Sequence, residues 1–194
     1  MTDLKIPLDW LVCHSLQEWH DWLAENHASN KPVWLKIKRA GSSGDGVLLS
    51  DAVKEAICFG WIDGQMRSLG EEGYIVRFTQ RRPHSIWSQI NRKRAEELIA
   101  AGRMTEAGMK AVREAQANGR WQTAYTSKEK PEMPEDIEAA LKAVPEAMKN
   151  FQNWRNSDQL QVVVWIKEAK RPETRRNRIR KAASAACENK VWFR

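Results

Sequence analysis

The stretch WIDGQMRSLGEEGYIVRFT, residues 61–79, decides the fold of the first half of the chain. Two strand-like runs, 61–69 and 74–79, flank a short connection, residues 70–73, that begins and ends with glycine. Such a connection between two strands is typical of an antiparallel hairpin. If its turn is three residues long, apolar and polar side chains separate onto opposite faces, whereas a one-residue slip would mix them.

The separated register gives the hairpin an apolar face and a polar face. We predict that the apolar face holds Ile62, Met66, Tyr74, Val76 and Phe78. The polar face then holds Asp63, Gln65, Arg67, Arg77, Thr79 and Arg81. Because diagonal neighbours on one face of a sheet come within reach of long side chains, the carboxylate of Asp63 is expected close to Arg77 or Arg81.

Helical patterns surround this hairpin. Ser15 and Thr105 are placed to cap two helices, because each hydroxyl precedes an apolar stripe and can accept a hydrogen bond from an unpaired amide. Ser50 is predicted to cap a short helix in the same way. Ser85 is predicted to cap a longer one over residues 86–101.

The composition changes in the middle of the chain, where residues 126–132 contain no apolar side chain. We therefore predict an α+β domain over 1–125, a linker over 126–133 and a compact all-helical module over 134–194. The first domain is expected to pack a small, mostly antiparallel sheet of three or four strands against helices. Residues 33–38 alternate apolar and polar side chains and form one of these strands.

The net charge and the spacing of the cysteines limit which partners and cofactors are expected. The 194 residues carry a net charge of +7, which favours anionic small molecules, acidic proteins or nucleic acid. Neither the three widely spaced cysteines nor the four histidines have the spacing of a metal site, so we expect no metal and no cofactor.

The N-terminus does not look like a signal peptide, and no apolar run is long enough to span a membrane. We therefore expect a cytoplasmic protein.

Several strings resemble a known bacterial family. They are AICFGWIDG (56–64), RFTQRRP (77–83), SIWSQIN (85–91), GRMT (102–105) and AKRPETR (169–175) with Arg178 and Ile179 after it. On these strings the chain resembles the YdeI/OmdA family, the "bacteriocin-protection, YdeI or OmpD-associated" proteins. The resemblance implies a role in resistance to bacteriocins or cationic peptides and an outer-membrane partner, and it implies no catalytic residues. A periplasmic location is supposed for such proteins, whereas the lack of an export signal predicts the cytoplasm here.

The polar face of the hairpin and the segment after it form the first candidate site. A guanidinium group can bind carboxylate or phosphate through two nitrogens, and the start of a helix adds unpaired amides. The predicted ligand-binding residues are Trp61, Asp63, Gln65, Arg77, Thr79, Arg81, Arg82, Ser85, Trp87 and Asn91. In the alternative interpretation Asp63 only pairs with Arg77, Trp87 belongs to the core, and Arg81 and Arg82 are hydrated. Trp34, on the polar side of its strand, is a further candidate for stacking on a ligand.

The segment KRPETRRNRIRK, residues 170–181, forms the second candidate site. Its predicted contact residues are Lys170, Arg171, Arg175 and Arg178. The three arginines lie three or four residues apart and share one helical stripe, which suits a nucleic-acid backbone or an acidic partner. The alternative interpretation is a solvated helix end.

Catalysis finds little support, because the chain contains no nucleophile elbow, phosphate loop or dinucleotide fingerprint. Asp63 is the one candidate catalytic residue, as a general base beside Arg77, although a neighbouring cation favours its ionised form and weakens it as a base. We therefore expect a non-enzymatic family member that binds an anionic ligand or an acidic partner on its arginine-rich face. The alternatives are a nucleic-acid-binding protein that uses the C-terminal helix, and a small enzyme centred on Asp63 and Arg77.

Overall fold

The computed structural model describes residue 7 and residues 9–42, 45–126 and 130–191. The prediction of an α+β fold is confirmed, since the described residues form eight α-helices and one three-stranded antiparallel sheet. The chain divides into two compact units, Met1–Ala124 and Tyr125–Arg194. Each unit buries a hydrophobic core of its own.

The first unit contains the sheet and four helices. Its elements are α1 (Leu16–Asn26), β1 (Val33–Ile37), α2 (Leu49–Cys58), β2 (Trp61–Ser68), β3 (Tyr74–Gln80), α3 (Gln89–Ala100) and α4 (Glu106–Ala117), with a 3-10 turn at Gly70–Glu72. The strand order is β1-β3-β2, and each neighbouring pair is antiparallel. The core lies on one face of the sheet, where Leu35, Trp61 and Phe78 are fully buried.

The second unit is all-helical. Its elements are α5 (Glu135–Lys142), α6 (Pro145–Asn153), α7 (Asn156–Lys167) and α8 (Pro172–Cys187). Proline suits the first turn of α6 and α8, because an amide hydrogen there would have no partner within the helix. The core is built around Leu141, Phe151 and Ile166. Across the described parts of both units, no helix is long and apolar enough to cross a membrane.

Two predicted helix caps are confirmed. The hydroxyl of Ser15 accepts a hydrogen bond from the amide of Glu18 at 3.2 Å, which fixes the start of α1. The hydroxyl of Thr105 accepts from the amide of Gly108 at 3.3 Å and fixes the start of α4 in the same way. These caps were predictable because donor and acceptor lie three residues apart in the chain.

The other two predicted caps are wrong. Helix α2 begins after Leu48 without a side-chain cap, so Ser50 already lies inside the helix. Helix α3 is capped by Ser88, three residues later than predicted. Ser85 belongs to a turn instead, because its amide donates to the carbonyl of Arg82 at 2.9 Å.

The hairpin of β2 and β3 contains a β-bulge that corrects the predicted register. Asp63 pairs with Phe78, and Met66 pairs with Val76, so two residues of β2 lie opposite Arg77 alone. Paired residues point to the same face of a sheet, so Asp63 lies on the core face and Arg77 on the other. The predicted contact between Asp63 and Arg77 is therefore wrong, because the two side chains lie on opposite faces of the sheet.

Candidate functional site

The sheet face opposite the core carries two arginines of the hairpin. Arg67 pairs with Ile75, and Trp34 of β1 pairs with Arg77, which brings Trp34, Arg67 and Arg77 to this face. The guanidinium carbon of Arg67 lies 5.7 Å from the centre of the Trp34 ring. We define the guanidinium face by its five half-buried side chains, which are Trp34, Gln65, Arg67, Arg77 and Thr79.

The guanidinium group of Arg67 uses only part of its hydrogen-bonding capacity within this face. Its Nη2 donates to the side-chain oxygen of Gln65 at 3.3 Å, and its Nη1 donates to the carbonyl of Met66 at 3.1 Å. Its Nε atom is buried and has no hydrogen-bond partner among the residues that the structure describes. Buried polar groups are nearly always paired in folded proteins, so this donor is an exception that a water molecule or a ligand oxygen would satisfy.

Other predicted ligand-binding residues belong to the core. Trp61 is fully buried, and its indole nitrogen donates to the carbonyl of His27 at 3.0 Å. Arg81 is buried too; its guanidinium carbon lies 3.6 Å from the centre of the Trp87 ring, and Nη1 donates to the carbonyl of Ile86 at 3.4 Å. Trp87 packs in turn against a second indole of the core. These side chains hold the unit together and are not presented to a ligand.

The last three predicted residues of this site are dispersed. The buried side chain of Asn91 accepts a hydrogen bond from Arg94 at 3.0 Å. Arg82 is exposed, and Ser85 is half-buried in the turn described above. Of the ten predicted residues, the structure therefore brings only Gln65, Arg77 and Thr79 together on the guanidinium face.

In the second unit, two arginines of the predicted basic stripe contact the end of α7. Arg175 donates from Nε and Nη2 to the two carboxylate oxygens of Asp136, at 2.6 and 2.8 Å, and from Nη1 to the carbonyl of Ile166 at 3.4 Å. Arg178 donates to the carbonyl of Trp165 and lies over its ring. Both carbonyls lie in the last turn of α7, where the helix dipole is negative, so the two arginines stabilise that end of the helix.

These contacts change the electrostatics of the stripe. The hydrogen bond from Arg175 holds the pKa of the Asp136 carboxyl below its usual value, and the same contact raises the pKa of Arg175. Lys170 and Arg171 remain exposed. A nucleic-acid or acidic partner at this helix stays a prediction, which now depends on Lys170 and Arg171 because Arg175 and Arg178 have intramolecular partners.

Glu55 is a buried residue of α2 that no sequence motif marks. It connects α2 to α1 and to the loop after α3. Only 5% of the Glu55 side chain is exposed, and both of its oxygens are used. Oε1 lies 2.6 Å from Nδ1 of His20 on α1, and Oε2 accepts from Nη2 of Arg103 at 2.6 Å. Burying an unpaired carboxylate is strongly unfavourable, so these two partners make its burial possible. We call Glu55, His20 and Arg103 the Glu55 triad.

The end of α3 determines where Arg103 lies. Gly102 adopts a left-handed conformation with φ of 65°, and its amide donates to the carbonyl of Ile99. The amide of Arg103 donates to the carbonyl of Leu98, which completes a Schellman motif. The string GRMT therefore ends one helix and directs the guanidinium of Arg103 to Glu55.

Helix α4 begins against the carbonyl of Cys58, at the end of α2. The amide and the hydroxyl of Thr105 both donate to that oxygen, at 3.1 and 2.6 Å. A Cβ atom on Gly108 would lie 2.2 Å from the same oxygen, so only glycine fits there. Burial, with a further contribution from Glu55, raises the pKa of the Cys58 thiol to about 11. The thiol is therefore protonated at neutral pH and is not a nucleophile.

A cavity of about 320 Å³ opens beside the triad, bordered by Leu16, Gln17, His20, Glu55 and Arg103. When the imidazole of His20 is neutral and Glu55 is ionised, the hydrogen between them lies on Nδ1, because a carboxylate only accepts, and Nε2 is then an acceptor. The cavity thus offers a cation and a proton acceptor side by side. In the described ranges, no group of three or more His, Cys, Asp or Glu could hold a metal ion.

The architecture is that of a small α+β domain joined to an all-helical unit in which α8 caps α7. Residues 130–189 match the family model described as "Bacteriocin-protection, YdeI or OmpD-Associated". Residues 11–111 match the model of a domain of unknown function, DUF8412, and contain the four family-like strings of the first half. The chain belongs to the DUF8412 family, whose model covers more than half of it, and its second unit matches the bacteriocin-protection, YdeI or OmpD-associated family, which confirms the predicted resemblance there. No curated protein and no solved structure matches the chain.

Proposed function

We propose that this family member binds an anionic ligand on the guanidinium face and that this binding serves resistance to bacteriocins or cationic peptides. The family description supports the resistance role. The observation that carries the binding is the buried Nε of Arg67, a donor without an acceptor among the described residues, next to the ring of Trp34.

Several properties of the face suit an oxyanion. A guanidinium group binds carboxylate or phosphate through two parallel hydrogen bonds, and Arg67 and Arg77 extend from neighbouring strands. A buried donor without an acceptor costs about 1–3 kcal/mol, which an oxygen atom of the ligand would offset. The Trp34 ring offers a flat surface for the apolar part of the same ligand. A net charge of +7 also favours the approach of anions.

The ligand that fits carries more than one oxyanion group, because the two arginines are separate donors. A small polycarboxylate meets this requirement, and so does an acidic segment of a partner protein. Citrate and a hexaglutamate peptide represent these two sources and can be titrated in parallel.

An NMR titration of the full chain tests the proposal. Citrate at low ionic strength should shift the indole signal of Trp34 and the Nε–H signal of Arg67 saturably. Replacing both arginines, Arg67→Gln with Arg77→Gln, should weaken citrate at least about tenfold, since each bidentate contact is lost. Arg113→Gln is the matched control, because this arginine is exposed on α4 and pairs with Glu106.

Two results would end the proposal: neither ligand shifts the Trp34 signal, or the double variant binds as well as the unchanged chain. Tighter binding of hexaglutamate than of citrate would support an acidic protein as the partner. The opposite order would support a small polycarboxylate. Added salt should weaken either ligand, because the face is partly exposed and its charges are screened.

A further inference from the structure

We propose that the cavity beside the Glu55 triad is a second binding site, for a small oxyanion that also carries a hydroxyl hydrogen. The two sources of this chemistry are a hydrogen phosphate group and a hydroxycarboxylate. Arg103 binds the oxyanion, Nε2 of His20 accepts the hydroxyl hydrogen, and Glu55 is the positioning residue. The site goes beyond the proposed function because it shares no residue with the guanidinium face.

Arg103 has donors to spare at this cavity. Its side chain is 47% exposed, and its bond to Glu55 uses a single nitrogen, Nη2. A guanidinium group has five N–H donors in a rigid fork, so most of them remain available to a ligand. The bond of 2.6 Å to the carboxylate anchors the guanidinium group at one nitrogen beside the cavity.

In its neutral form, His20 supplies a hydrogen-bond acceptor at the same cavity, beside the donors of Arg103. In the neutral ring, the contact of Nδ1 with Glu55 places the hydrogen on Nδ1 and orients the imidazole, and 44% of the side chain is exposed. The edge-on contact with Phe59, 5.2 Å between ring centres, holds the imidazole from another side. A bare Nε2 accepts a hydrogen from a ligand hydroxyl and repels an oxygen that has none. This preference distinguishes hydrogen phosphate from sulfate.

The size of the site limits the ligand. One carboxylate holds both His20 and Arg103, so a ligand that touches both must be small. The volume of about 320 Å³ is at the lower end of the roughly 300–1,000 Å³ that ligand pockets occupy. Leu16, a hydrophobic residue that is 37% exposed, borders the cavity and provides an apolar wall for a short carbon chain.

Two matched pairs of anions test the proposal on the full chain: hydrogen phosphate against sulfate, and glycolate against acetate. Each pair differs chiefly in the presence of a hydroxyl hydrogen. The readout is the long-range ¹H–¹⁵N spectrum of the His20 imidazole, which reports Nδ1 and Nε2 separately. We expect a saturable shift of Nε2, and an affinity at least about fivefold higher for the hydroxylated member of one pair, as one added hydrogen bond implies.

Variants separate the roles. Arg103→Gln should weaken all four anions at least about tenfold, since it removes the charged fork. Glu55→Gln should mix the two tautomers of His20 in the free protein and abolish the preference for the hydroxylated anion. Arg113→Gln should change neither property. The measurement on the unchanged chain does not depend on whether these variants fold.

The pair that shows the preference identifies the ligand class: phosphate over sulfate indicates a phosphate compound, and glycolate over acetate indicates a hydroxycarboxylate. Three results would overturn the proposal. They are no saturable shift with any of the four anions, equal affinities within both pairs, and binding that Arg103→Gln leaves intact. In each case the triad would be a structural contact only.

Discussion

Each unit contains an arginine that holds a carboxylate, and the two contacts are built in opposite ways. In the first unit the acid is buried: the side chain of Glu55 is 5% exposed and that of Arg103 is 47% exposed. In the second unit the acid is outside: the side chain of Asp136 is 47% exposed and that of Arg175 is 28% exposed. The chemistry of the pair is the same, but a different partner faces the solvent.

This difference separates a structural contact from a binding site. Arg175 uses three of its five N–H donors, two on Asp136 and one on the carbonyl of Ile166, so each of its nitrogens already makes a hydrogen bond within the chain. Arg103 uses one nitrogen on Glu55 and presents the others at a cavity. An arginine in a family-like string is therefore judged by its spare donors. By this criterion Arg175 of the motif AKRPETR serves the fold of the second unit, whereas Arg103 of GRMT has donors to spare for the proposed site.

The largest effect on stability is expected at Gly108, where α4 packs directly against the end of α2. Gly108→Ala would place a Cβ 2.2 Å from the carbonyl oxygen of Cys58, so α4 must move away from α2 and carry the loop of Arg103 with it. We expect a loss of about 3 kcal/mol or more in the free energy of unfolding, measured by urea titration. Gly64→Ala is the control, because its nearest neighbour, the carbonyl of Arg77, would lie at an ordinary 3.5 Å. Equal losses in the two variants would contradict the packing described here.

The next effect tests the buried acid itself. Glu55→Gln keeps the shape of the side chain but turns one amide hydrogen toward a donor on His20 or Arg103. We expect the free energy of unfolding to fall by about 2–3 kcal/mol, the range for hydrogen bonds to charged groups. Glu106→Gln removes an exposed pair with Arg113 and should cost less than about 1 kcal/mol. If the two variants lose the same amount, Glu55 is not the buried anchor of the triad.

A smaller effect is expected from the arginine of the second unit. Arg175→Gln removes the bidentate contact with Asp136 and one cap of α7, which we expect to cost about 1–2 kcal/mol. Hydrogen exchange of the amides in α7 and α8 measures this loss within the second unit. Lys149→Gln is the control, since that lysine is 72% exposed and lies 4.0 Å from Glu146. Unchanged exchange in Arg175→Gln would mean that the contact with Asp136 contributes nothing.

The smallest effect depends on pH. Because Arg175 lowers the pKa of Asp136 in the folded chain, this pair adds stability above the pKa of an unfolded aspartate, about 3.9. The contribution disappears as the pH falls through the lower folded value. Since the carboxylate is 47% exposed and therefore screened, Asp136→Asn should cost at most about 1 kcal/mol at pH 7. Urea titrations of both chains at pH 7 and pH 2 should show this difference shrinking toward zero in acid, and a constant difference would contradict the assignment.

The features that could be predicted from the sequence are those determined by residues close to each other along the chain. Ser15 and Thr105 cap their helices through residues three positions away, and the alternation of residues 33–38 gives the strand and its buried side. The hairpin exists as predicted, but its bulge after Asp63 could not be predicted from the alternation of apolar and polar residues. One extra residue can be inserted at several positions of a strand without changing that alternation on either side. The predicted grouping of Asp63 with the arginines failed for this reason.

The triad could not be predicted, because its partners are 35 and 48 residues from Glu55 in the chain. One signal was present: apart from Lys54, the neighbours of Glu55 in α2 are apolar and buried, namely Ala52, Val53, Ala56 and Ile57. A charged residue in such a run requires a partner. The arginine partner depends on the helix end at Gly102 and the histidine partner on the packing of α1, and only the folded chain shows both.

The central claim is that Arg103 and Arg175 differ in the donors they can offer. A single ¹H–¹⁵N NMR titration of the full chain with hydrogen phosphate tests it, because the Nε–H signals of both arginines appear in the same spectrum. The account predicts that the Arg103 signal and the Nε2 signal of His20 shift saturably, while the Arg175 signal does not move. Equal shifts of both arginines, or a shift of neither, would contradict it.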